Sequence, residues 1–379
     1  MSQRYLGGWI QAGLFNPLAA PTPSGYTYEL WSWGQNNYGQ LGLSNITNYS
    51  SPKQVGALTT WSNAAGGSGY FILAIKTDGT LWSWGQNNFG QLGLGNTTNY
   101  SSPKQVGALT TWSKVSAGNE FSLAIKTDGT LWSWGSNGRG QLGLGNTAGS
   151  SYSSPKQVGA LTTWSNIAAG FRFTLATKTD GTLWSWGANT FGALGLGNTA
   201  DYSSPTQIGI LATWSKVSAG DYFSLAIKTD GTLWAWGQND RGELGLGSVT
   251  YYSSPKQVGA LTTWAYIEAG SEFSLAIKTD GTLWSWGRNN AGQLGLGNTT
   301  GYSSPKQIGT LTTWSKVFAG GFHSLANKTD GTLWSWGSNG SGQLGQGNTT
   351  NYSSPKQVGA LATWLNVAAG QNSTIALKY

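Results

Sequence analysis

The feature that most constrains this chain is a repeat of about 50 residues. The string Leu-Trp-(Ser/Ala)-Trp-Gly occurs seven times, with steps of 51, 50, 52, 50, 50 and 50 residues between copies. A second marker, Thr-Trp, also occurs seven times. A period of this length is typical of propellers and solenoids rather than of unrelated domains in series. The first marker begins at Leu30, Leu81, Leu131, Leu183, Leu233, Leu283 and Leu333.

One unit of the repeat contains four candidate strands. Trp112–Gly118 forms the first, and Phe121–Lys126 forms the second because apolar and small residues alternate along it. Asp128-Gly129 predicts a two-residue type I′ hairpin turn, after which Thr130–Gly135 returns as the third strand. A glycine-rich crossing then leads to Tyr-Ser-Ser-Pro-Lys-Gln-Val, which supplies the fourth. Four strands per unit, seven times over, predict an all-β fold, a seven-bladed β-propeller of four-stranded blades.

The two ends of the chain predict how the ring closes. Ser373–Lys378 matches the strand before the turn, and Tyr28–Gly34 matches the strand after it. We therefore expect the N- and C-terminal strands to pair and complete one blade, whereas a solenoid would need polar caps. The repeat therefore divides the chain into two parts. Residues 1–25 form an extended N-terminal arm that serves as a docking segment or a linker, and residues 26–379 form the propeller.

Composition excludes many function classes. The chain has no cysteine, one histidine and only 9% charged residues, so thiolate chemistry and mechanisms that need two imidazoles are excluded. We expect a non-enzymatic protein with no cofactor and no metal. The net charge of +7 equals thirteen recurring lysines minus six recurring aspartates, and a charge spread evenly over a repeat argues against nucleic acid as a partner. No apolar stretch is long enough to predict a membrane span.

Three motifs that recur along the repeat, with substitutions in some copies, carry a family resemblance. Ala-Gly-x-x-(His/Phe)-Ser-Leu-Ala is followed by Asp-Gly-Thr-Leu-Trp-Ser-Trp-Gly and then by Gly-Gln-Leu-Gly-Leu-Gly. Together they resemble the regulator of chromosome condensation repeat family over about residues 26–379. The resemblance implies a seven-bladed propeller. The best-known member of that family is a chromatin-bound guanine-nucleotide exchange factor for a small GTPase, and many other members are binding or structural modules.

Comparison of the seven copies indicates where binding would occur. The link after Ala-Gly and the segment after Trp-Gly each lie one strand away from the Asp-Gly turn, so both belong to the opposite face of the disc. These two segments differ between copies and contain aromatic and arginine side chains, the types that anchor interfaces. Neutral drift in exposed loops is the alternative explanation. The candidate binding residues are Tyr38, Tyr70, Phe89, Glu120, Arg139, Arg172, Phe191, Tyr222, Arg241, Glu272 and Phe322.

Three further features are interpreted as structural. His323 stands where other copies have phenylalanine, on the packed side of a strand, so a buried histidine is expected there rather than a catalytic one. The lysine and aspartate that flank each turn are expected to form a solvated ion pair of little energetic weight. The glycine-rich crossing, for example Gly140–Gly145, is expected to pack tightly between blades.

The N-terminal arm leads to a functional hypothesis. Its Arg-Tyr-Leu-Gly-Gly start and its Asn-Pro-Leu segment are similar to the opening of virion structural proteins from marine phages. We therefore expect a binding or structural propeller on a virion (capsid decoration, tail or fibre) or cell surface, located on the virion or outside the cell. It would bind other structural proteins through the arm and display its varied loops to a host receptor or glycan. The alternative is guanine-nucleotide exchange or other GTPase regulation. The expected arm-docking residues are Tyr5, Leu6, Trp9, Leu14 and Phe15.

Overall fold

The computed structural model describes residues 28–147 and 151–379, and every regular element in them is a β-strand. The strands form seven four-stranded antiparallel sheets, here called blades. Blades 1 to 6 use consecutive strands, and blade 7 combines strands from both ends of the chain.

In chain order the strands are β1 (Glu29–Gly34) and β2 (Tyr49–Gln54) of blade 7; β3 (Trp61–Gly66), β4 (Phe71–Lys76), β5 (Leu81–Gly85) and β6 (Tyr100–Gln105) of blade 1; β7 (Trp112–Ala117), β8 (Phe121–Lys126), β9 (Leu131–Gly135) and β10 (Tyr152–Gln157) of blade 2; β11 (Trp164–Ala169), β12 (Phe173–Lys178), β13 (Leu183–Gly187) and β14 (Tyr202–Gln207) of blade 3; β15 (Trp214–Ala219), β16 (Phe223–Lys228), β17 (Leu233–Gly237) and β18 (Tyr252–Gln257) of blade 4; β19 (Trp264–Ala269), β20 (Phe273–Lys278), β21 (Leu283–Gly287) and β22 (Tyr302–Gln307) of blade 5; β23 (Trp314–Ala319), β24 (His323–Lys328), β25 (Leu333–Gly337) and β26 (Tyr352–Gln357) of blade 6; and β27 (Trp364–Ala369) and β28 (Ser373–Lys378) of blade 7.

Blade 7 closes the ring as predicted. Strand β1 pairs antiparallel with β28 along its whole length, from Glu29 opposite Lys378 to Gly34 opposite Ser373. The first strands of the seven blades surround a central channel, and the fourth strands lie at the rim. The seven four-stranded sheets confirm the predicted seven-bladed propeller, and the pairing of β1 with β28 confirms that the two chain ends close the ring.

The second strand of each blade is buried on both faces. In β8 the apolar Phe121 and Leu123 and the small Ser122 and Ala124 are all inaccessible to solvent. The alternation read from the sequence therefore does not separate a core side from a wet side. It separates a large side from a small side, and each packs against a different neighbouring blade.

The blades are joined by a hydrogen bond that recurs at all seven junctions. The Nε1 of Trp134 in blade 2 donates to the backbone oxygen of Gln91 in blade 1 at 2.8 Å, and Ser122 Oγ donates to the same oxygen at 2.6 Å. Close packing accompanies it, since a Cβ added to Gly143 would lie 2.7 Å from Nε1 of Trp186. The glycine-rich crossing thus packs between blades, as expected.

The Asp-Gly turn differs from the prediction. In blade 2 only Gly129 has a positive φ, of 78°, and Asp128 does not. The N–H of Gly129 donates to the oxygen of Lys126 at 3.0 Å, and the N–H of Lys126 donates to the oxygen of Thr130 at 3.0 Å. These bonds define a three-residue loop with a glycine bulge rather than a type I′ turn. The prediction of type I′ is therefore wrong.

The lysine and aspartate beside each turn also have other partners than expected. In blade 1, Asp78 accepts hydrogen bonds from the N–H and Oγ1 of Thr80 at 2.9 and 2.7 Å, and these bonds lower the pKa of Asp78. The Nζ of Lys76 lies over the rings of Trp82 and Trp61, 3.7 and 5.2 Å from their centroids. The main contacts are therefore a turn cap and a cation–π stack.

His323 is buried in β24, as its position in the repeat predicts. Its Nε2 lies 3.1 Å from Oγ1 of Thr374 in blade 7. Burial lowers the pKa of His323 to about 3, so the ring is neutral at physiological pH. A neutral, enclosed imidazole serves packing and not proton transfer.

No helix in the described ranges is long and apolar enough to cross a membrane. The predicted arm-docking residues Tyr5, Leu6, Trp9, Leu14 and Phe15 lie outside the described residues.

Candidate binding face

Antiparallel blades divide the loops between two faces of the disc. The turn face carries the Thr-Asp-Gly turns between second and third strands and the crossovers between blades. The varied face carries the loops from first to second strand and from third to fourth strand. In every blade these two loops are hydrogen-bonded; for example, the N–H of Ser136 donates to the oxygen of Glu120 at 2.8 Å. The eleven predicted residues therefore share one face, and each is half-buried or exposed.

Four aromatic side chains come together where blades 3 and 4 meet on the varied face. The ring centroid of Tyr222 lies 5.4 Å from that of Phe171 and 5.4 Å from that of Phe191. Phe191 also meets Tyr251 edge-on at 5.6 Å. The hydroxyl of Tyr251 donates to Oδ1 of Asp240. Loops of two blades thus build one continuous aromatic surface.

Two arginines border this aromatic surface. The guanidinium of Arg172 lies over the ring of Phe171 at 5.4 Å and 4.0 Å from Glu120 in blade 2. Arg139 of blade 2 pairs with Asp201 of blade 3 at 3.1 Å, and its side chain remains 53% exposed. We call Arg139, Phe171, Arg172, Phe191, Tyr222 and Tyr251 together the blade 2–4 cluster.

The other predicted residues form separate groups. Tyr38 stacks on Tyr70 at 5.3 Å where blades 7 and 1 meet. Glu272 pairs with Arg288 at 2.5 Å, and Arg288 lies over the ring of Phe322 at 4.8 Å.

Phe89 and Arg241 are positioned through their backbones. Their N–H groups donate to Gln91 Oε1 at 2.9 Å and to Glu243 Oε2 at 2.7 Å. The structure therefore brings the predicted residues into local groups, not into one ring.

Several members of these groups were not predicted. Phe171, Tyr251 and Arg288 each differ from the corresponding residue in the other copies, so a position-by-position comparison could have found them. Asp201, the partner of Arg139, lies 62 residues along the chain in the next blade. Pairing across a blade junction is not visible in one repeat.

The central channel contains a second set of polar groups. It has a volume of about 230 Å³ and is lined mainly by glycine, alanine and serine from all seven blades. Ser68 Oγ of blade 1 donates to Asp221 Oδ1 of blade 4 at 2.9 Å, so this carboxylate reaches across the mouth of the channel. Burial raises the pKa of Asp221 to about 6, although Ser68 and Ser271 oppose the shift.

Two more carboxylates are shielded from outer solvent: Glu243 is buried, and Glu268 is half-buried. Glu268 faces the channel rather than outer solvent, and burial raises its pKa to about 7, opposed by the hydroxyl of Ser218 at 3.3 Å. Glu243 replaces the glutamine found in five other copies, and burial raises its pKa to about 7 as well. Because glutamine occupies this position in five other copies, the charged exchange is a sequence signal that could have found Glu243, whereas the positions of Asp221 and Glu268 vary among the copies.

Solved structures and curated proteins resemble the chain to different extents. The structure of Prp20p from Saccharomyces cerevisiae, a protein that binds Gsp1p and histones, superposes with a TM-score of 0.84 at 21% identity, covering 94% of this chain and 92% of Prp20p. Human WBSCR16 gives 0.83 at 24% identity, covering 93% and 99%. At these identities the likeness shows the fold. A Protein RCC2 homolog from Xenopus laevis is 41% identical over 81 residues, which is 21% of this chain and 16% of that protein.

These comparisons overturn the expected location. Placement on a virion or outside the cell is wrong, because the similar proteins are intracellular and one of them binds histones. The similarity of the arm to phage virion proteins finds no support among them, and neither does host attachment.

Family models settle the classification. The model of the regulator of chromosome condensation (RCC1) repeat matches residues 29–74, 78–125, 128–177, 180–227, 230–277, 280–326 and 330–377. A second model with the same description matches six segments within this range. Each of the seven matches joins the last two strands of one blade to the first two strands of the next, and together they span the ring. The chain belongs to the regulator of chromosome condensation (RCC1) repeat family.

Proposed function

We propose that the chain is a non-enzymatic, protein-binding propeller whose partner docks on the blade 2–4 cluster of the varied face. The observation that carries the proposal is the meeting of Phe171, Phe191, Tyr222 and Tyr251 beside two arginines. Aromatic and arginine side chains supply most of the binding energy at protein interfaces, and they do so best when clustered.

The partner class we propose is a small GTPase. Gsp1p and histones suggest two classes of partner, since the similar propeller Prp20p binds both. The family resemblance favours exchange of guanine nucleotide on a GTPase. Charge argues against histones for this chain, because its net charge of +7 would repel a basic partner.

A rigid propeller could regulate such a partner without any catalytic group. If the varied face binds the nucleotide-free GTPase more tightly than the nucleotide-bound form, linkage requires that it weaken nucleotide binding by the same factor. Arg139 is exposed enough to reach a partner, while Arg172 is held by Glu120 and Phe171. The cluster thus combines a fixed aromatic platform with one accessible cationic side chain.

The test is binding and nucleotide release with a panel of small GTPases from the source organism. Biolayer interferometry of the full chain against nucleotide-free GTPases should show one that binds, and release of a fluorescent GDP analogue should accelerate. Tyr222→Ala should weaken binding at least tenfold, an effect typical of an interface anchor. Tyr38→Ala, which alters a different group on the same face, is the matched control and should change binding little.

Two results would contradict parts of the proposal. If no GTPase binds but another protein captured on the chain is lost with Tyr222→Ala, the binding face stands and the partner class is wrong. If captured proteins are retained equally by the Tyr222→Ala and Tyr38→Ala variants, the blade 2–4 cluster is not the binding site.

A further inference from the structure

One blade junction departs from the other six at a single position. The segment Leu-Gly-x after each third strand ends in leucine six times and in Gln346 once, at the junction of blades 6 and 7. This is also the junction at which the ring is closed by chain ends. The six leucines are Leu43, Leu94, Leu144, Leu196, Leu246 and Leu296.

At the six ordinary junctions the leucine covers apolar surface. Leu296, for example, packs against the same hydrophobic cluster as Trp334 of the next blade. The corresponding cluster at the closing junction contains Trp31 but no side chain from the Leu-Gly-x segment. Gln346 turns toward its own blade instead, where Nε2 donates to Ser335 Oγ and to the oxygen of Gln357, both at 3.1 Å. The indole of Trp31 is left without its usual leucine cover.

A groove of about 560 Å³ lies at this place. Its walls include Trp31, Lys378 and Ser51 of blade 7 and Gln346 and Gln357 of blade 6. This size falls within the range of small-molecule sites, which combine an apolar wall with a few polar groups that fix orientation. Here the apolar wall is formed by Trp31 and Trp364 with Pro52, Val358 and Leu361, and the polar groups are amides, a hydroxyl and an ammonium.

The charge in the groove is already balanced. Glu29 stands where other blades have the threonine of the turn, and its Oε2 lies 3.6 Å from Nζ of Lys378 and accepts a 2.9 Å hydrogen bond from Nε1 of Trp31. The ammonium of Lys378 also lies 4.9 Å from the centroid of Trp31. An anion would have to compete with Glu29 for Lys378. A fully apolar ligand would leave the amides and the ion pair without water.

We propose that the groove binds a neutral, polyhydroxylated ring, that is, a sugar. The flat indole of Trp31 offers a surface for the apolar face of a pyranose. Gln357, Ser51 and Lys378, together with Oε1 of Gln346, whose Nε2 already donates within blade 6, offer both donors and acceptors for its hydroxyl groups. The groove lies at the junction of blades 6 and 7 and shares no residue with the blade 2–4 cluster, so its test is independent of the proposed partner.

The experiment uses the full chain and four neutral disaccharides: maltose, cellobiose, lactose and N,N′-diacetylchitobiose. Saturation-transfer NMR detects contact with ring protons, and tryptophan fluorescence gives the dissociation constant. At least one disaccharide should bind in the millimolar range or tighter, corresponding to about 4 kcal/mol. Gln346→Leu restores the residue of the other six junctions, so the variant should fold and fill the groove. It should weaken binding at least tenfold, whereas Ser341→Ala on the varied face should leave binding unchanged.

Three outcomes would overturn the sugar site. The first is that no neutral disaccharide binds, and the second is that Gln346→Leu binds as tightly as the wild type. The third is that glucuronate, an anionic sugar, or cyclohexanol, an apolar ring, binds more tightly than every neutral disaccharide. A thermal unfolding curve of Gln346→Leu that matches or exceeds the wild type shows that any loss of binding is not a folding defect.

Discussion

The two faces of the disc differ in how strictly their seven copies agree. On the turn face, the aspartate cap on threonine and the lysine over tryptophan recur almost unchanged, as in Asp78 and Thr80. On the varied face, neighbouring blades build an aromatic cluster, a tyrosine stack and an arginine–glutamate pair from equivalent positions. The comparison shows that repeat identity follows folding contacts, and that variation is concentrated where the fold makes few demands.

The largest stability difference between the two faces is expected when one glycine on each face is replaced by alanine. In Gly129→Ala on the turn face, the new Cβ would lie 2.1 Å from the oxygen of Thr162 in the crossover to blade 3, at a φ of 78°. We expect a loss of about 4 kcal/mol in the free energy of unfolding, because backbone strain and overlap add. Gly138→Ala on the varied face meets nothing within 4 Å and should change stability by less than about 0.5 kcal/mol. Equal losses in urea denaturation would contradict the contrast between faces.

The next largest effect on stability is expected at Glu243, a carboxylate at a position where five other copies have glutamine. Glu243 is fully buried, and burial raises its pKa to about 7 from an ordinary value near 4.5. Because the folded-state pKa is the higher one, its contribution to stability is fully present below pH 4.5 and is lost as pH rises through 7. Glu243→Gln restores the residue of five other copies and should stabilise the chain by about 3 kcal/mol at alkaline pH.

Stability against pH provides the measurement for Glu243. The gain from Glu243→Gln should shrink toward zero at pH values around 4, below the ordinary pKa of a glutamate. Asp221 and Glu268 titrate in both proteins, so the difference between the two curves isolates Glu243. A gain that is constant with pH would show that the glutamine packs better and that the carboxylate charge is irrelevant.

The caps on the turn face should contribute less. Asp78→Ala removes the acceptor for the N–H and Oγ1 of Thr80, which we expect to cost about 1 kcal/mol. These hydrogen bonds lower the pKa of Asp78, so the cost should be present above about pH 4 and disappear as pH falls below the folded-state value. Urea denaturation of both proteins at about pH 6 and about pH 2 measures this, and an equal cost at the two pH values would contradict the role of the carboxylate.

The repeat markers were enough to predict the fold. Strand bounds such as Phe121–Lys126 and the pairing of Ser373–Lys378 with the N-terminal strand were predicted from the sequence, because seven copies of one pattern report the same contacts. The turn type could not be deduced from Asp-Gly alone. That dipeptide is compatible with a two-residue loop and with a three-residue loop. The hydrogen bond from the N–H of Lys126 to the oxygen of Thr130 shows that the loop has three residues.

Much of the candidate site depends on contacts between different copies. The meeting of Phe171 with Tyr222, and of Arg139 with Asp201, joins loops of adjacent blades that are about one repeat apart. Asp221 reaches Ser68 across 153 positions. A comparison of aligned copies identifies which positions vary, but it does not identify which pairs touch. Such pairs depend on the rotation between blades, which the sequence of one unit does not specify.

The smallest expected effect on stability belongs to the most exposed member of the cluster. Arg139 is 53% exposed, and its ion pair with Asp201 spans two blades at the surface. Arg139→Ala should therefore lower the free energy of unfolding by less than about 0.5 kcal/mol, measured by urea denaturation. The same variant should weaken partner binding if the varied face is the interface, because an arginine at such a cluster is an anchor only when a partner desolvates it. A residue that matters to binding and not to folding is what the contrast between the two faces requires. Conversely, a large stability loss at Arg139 with unchanged partner binding would mean that the varied face, too, is shaped by folding.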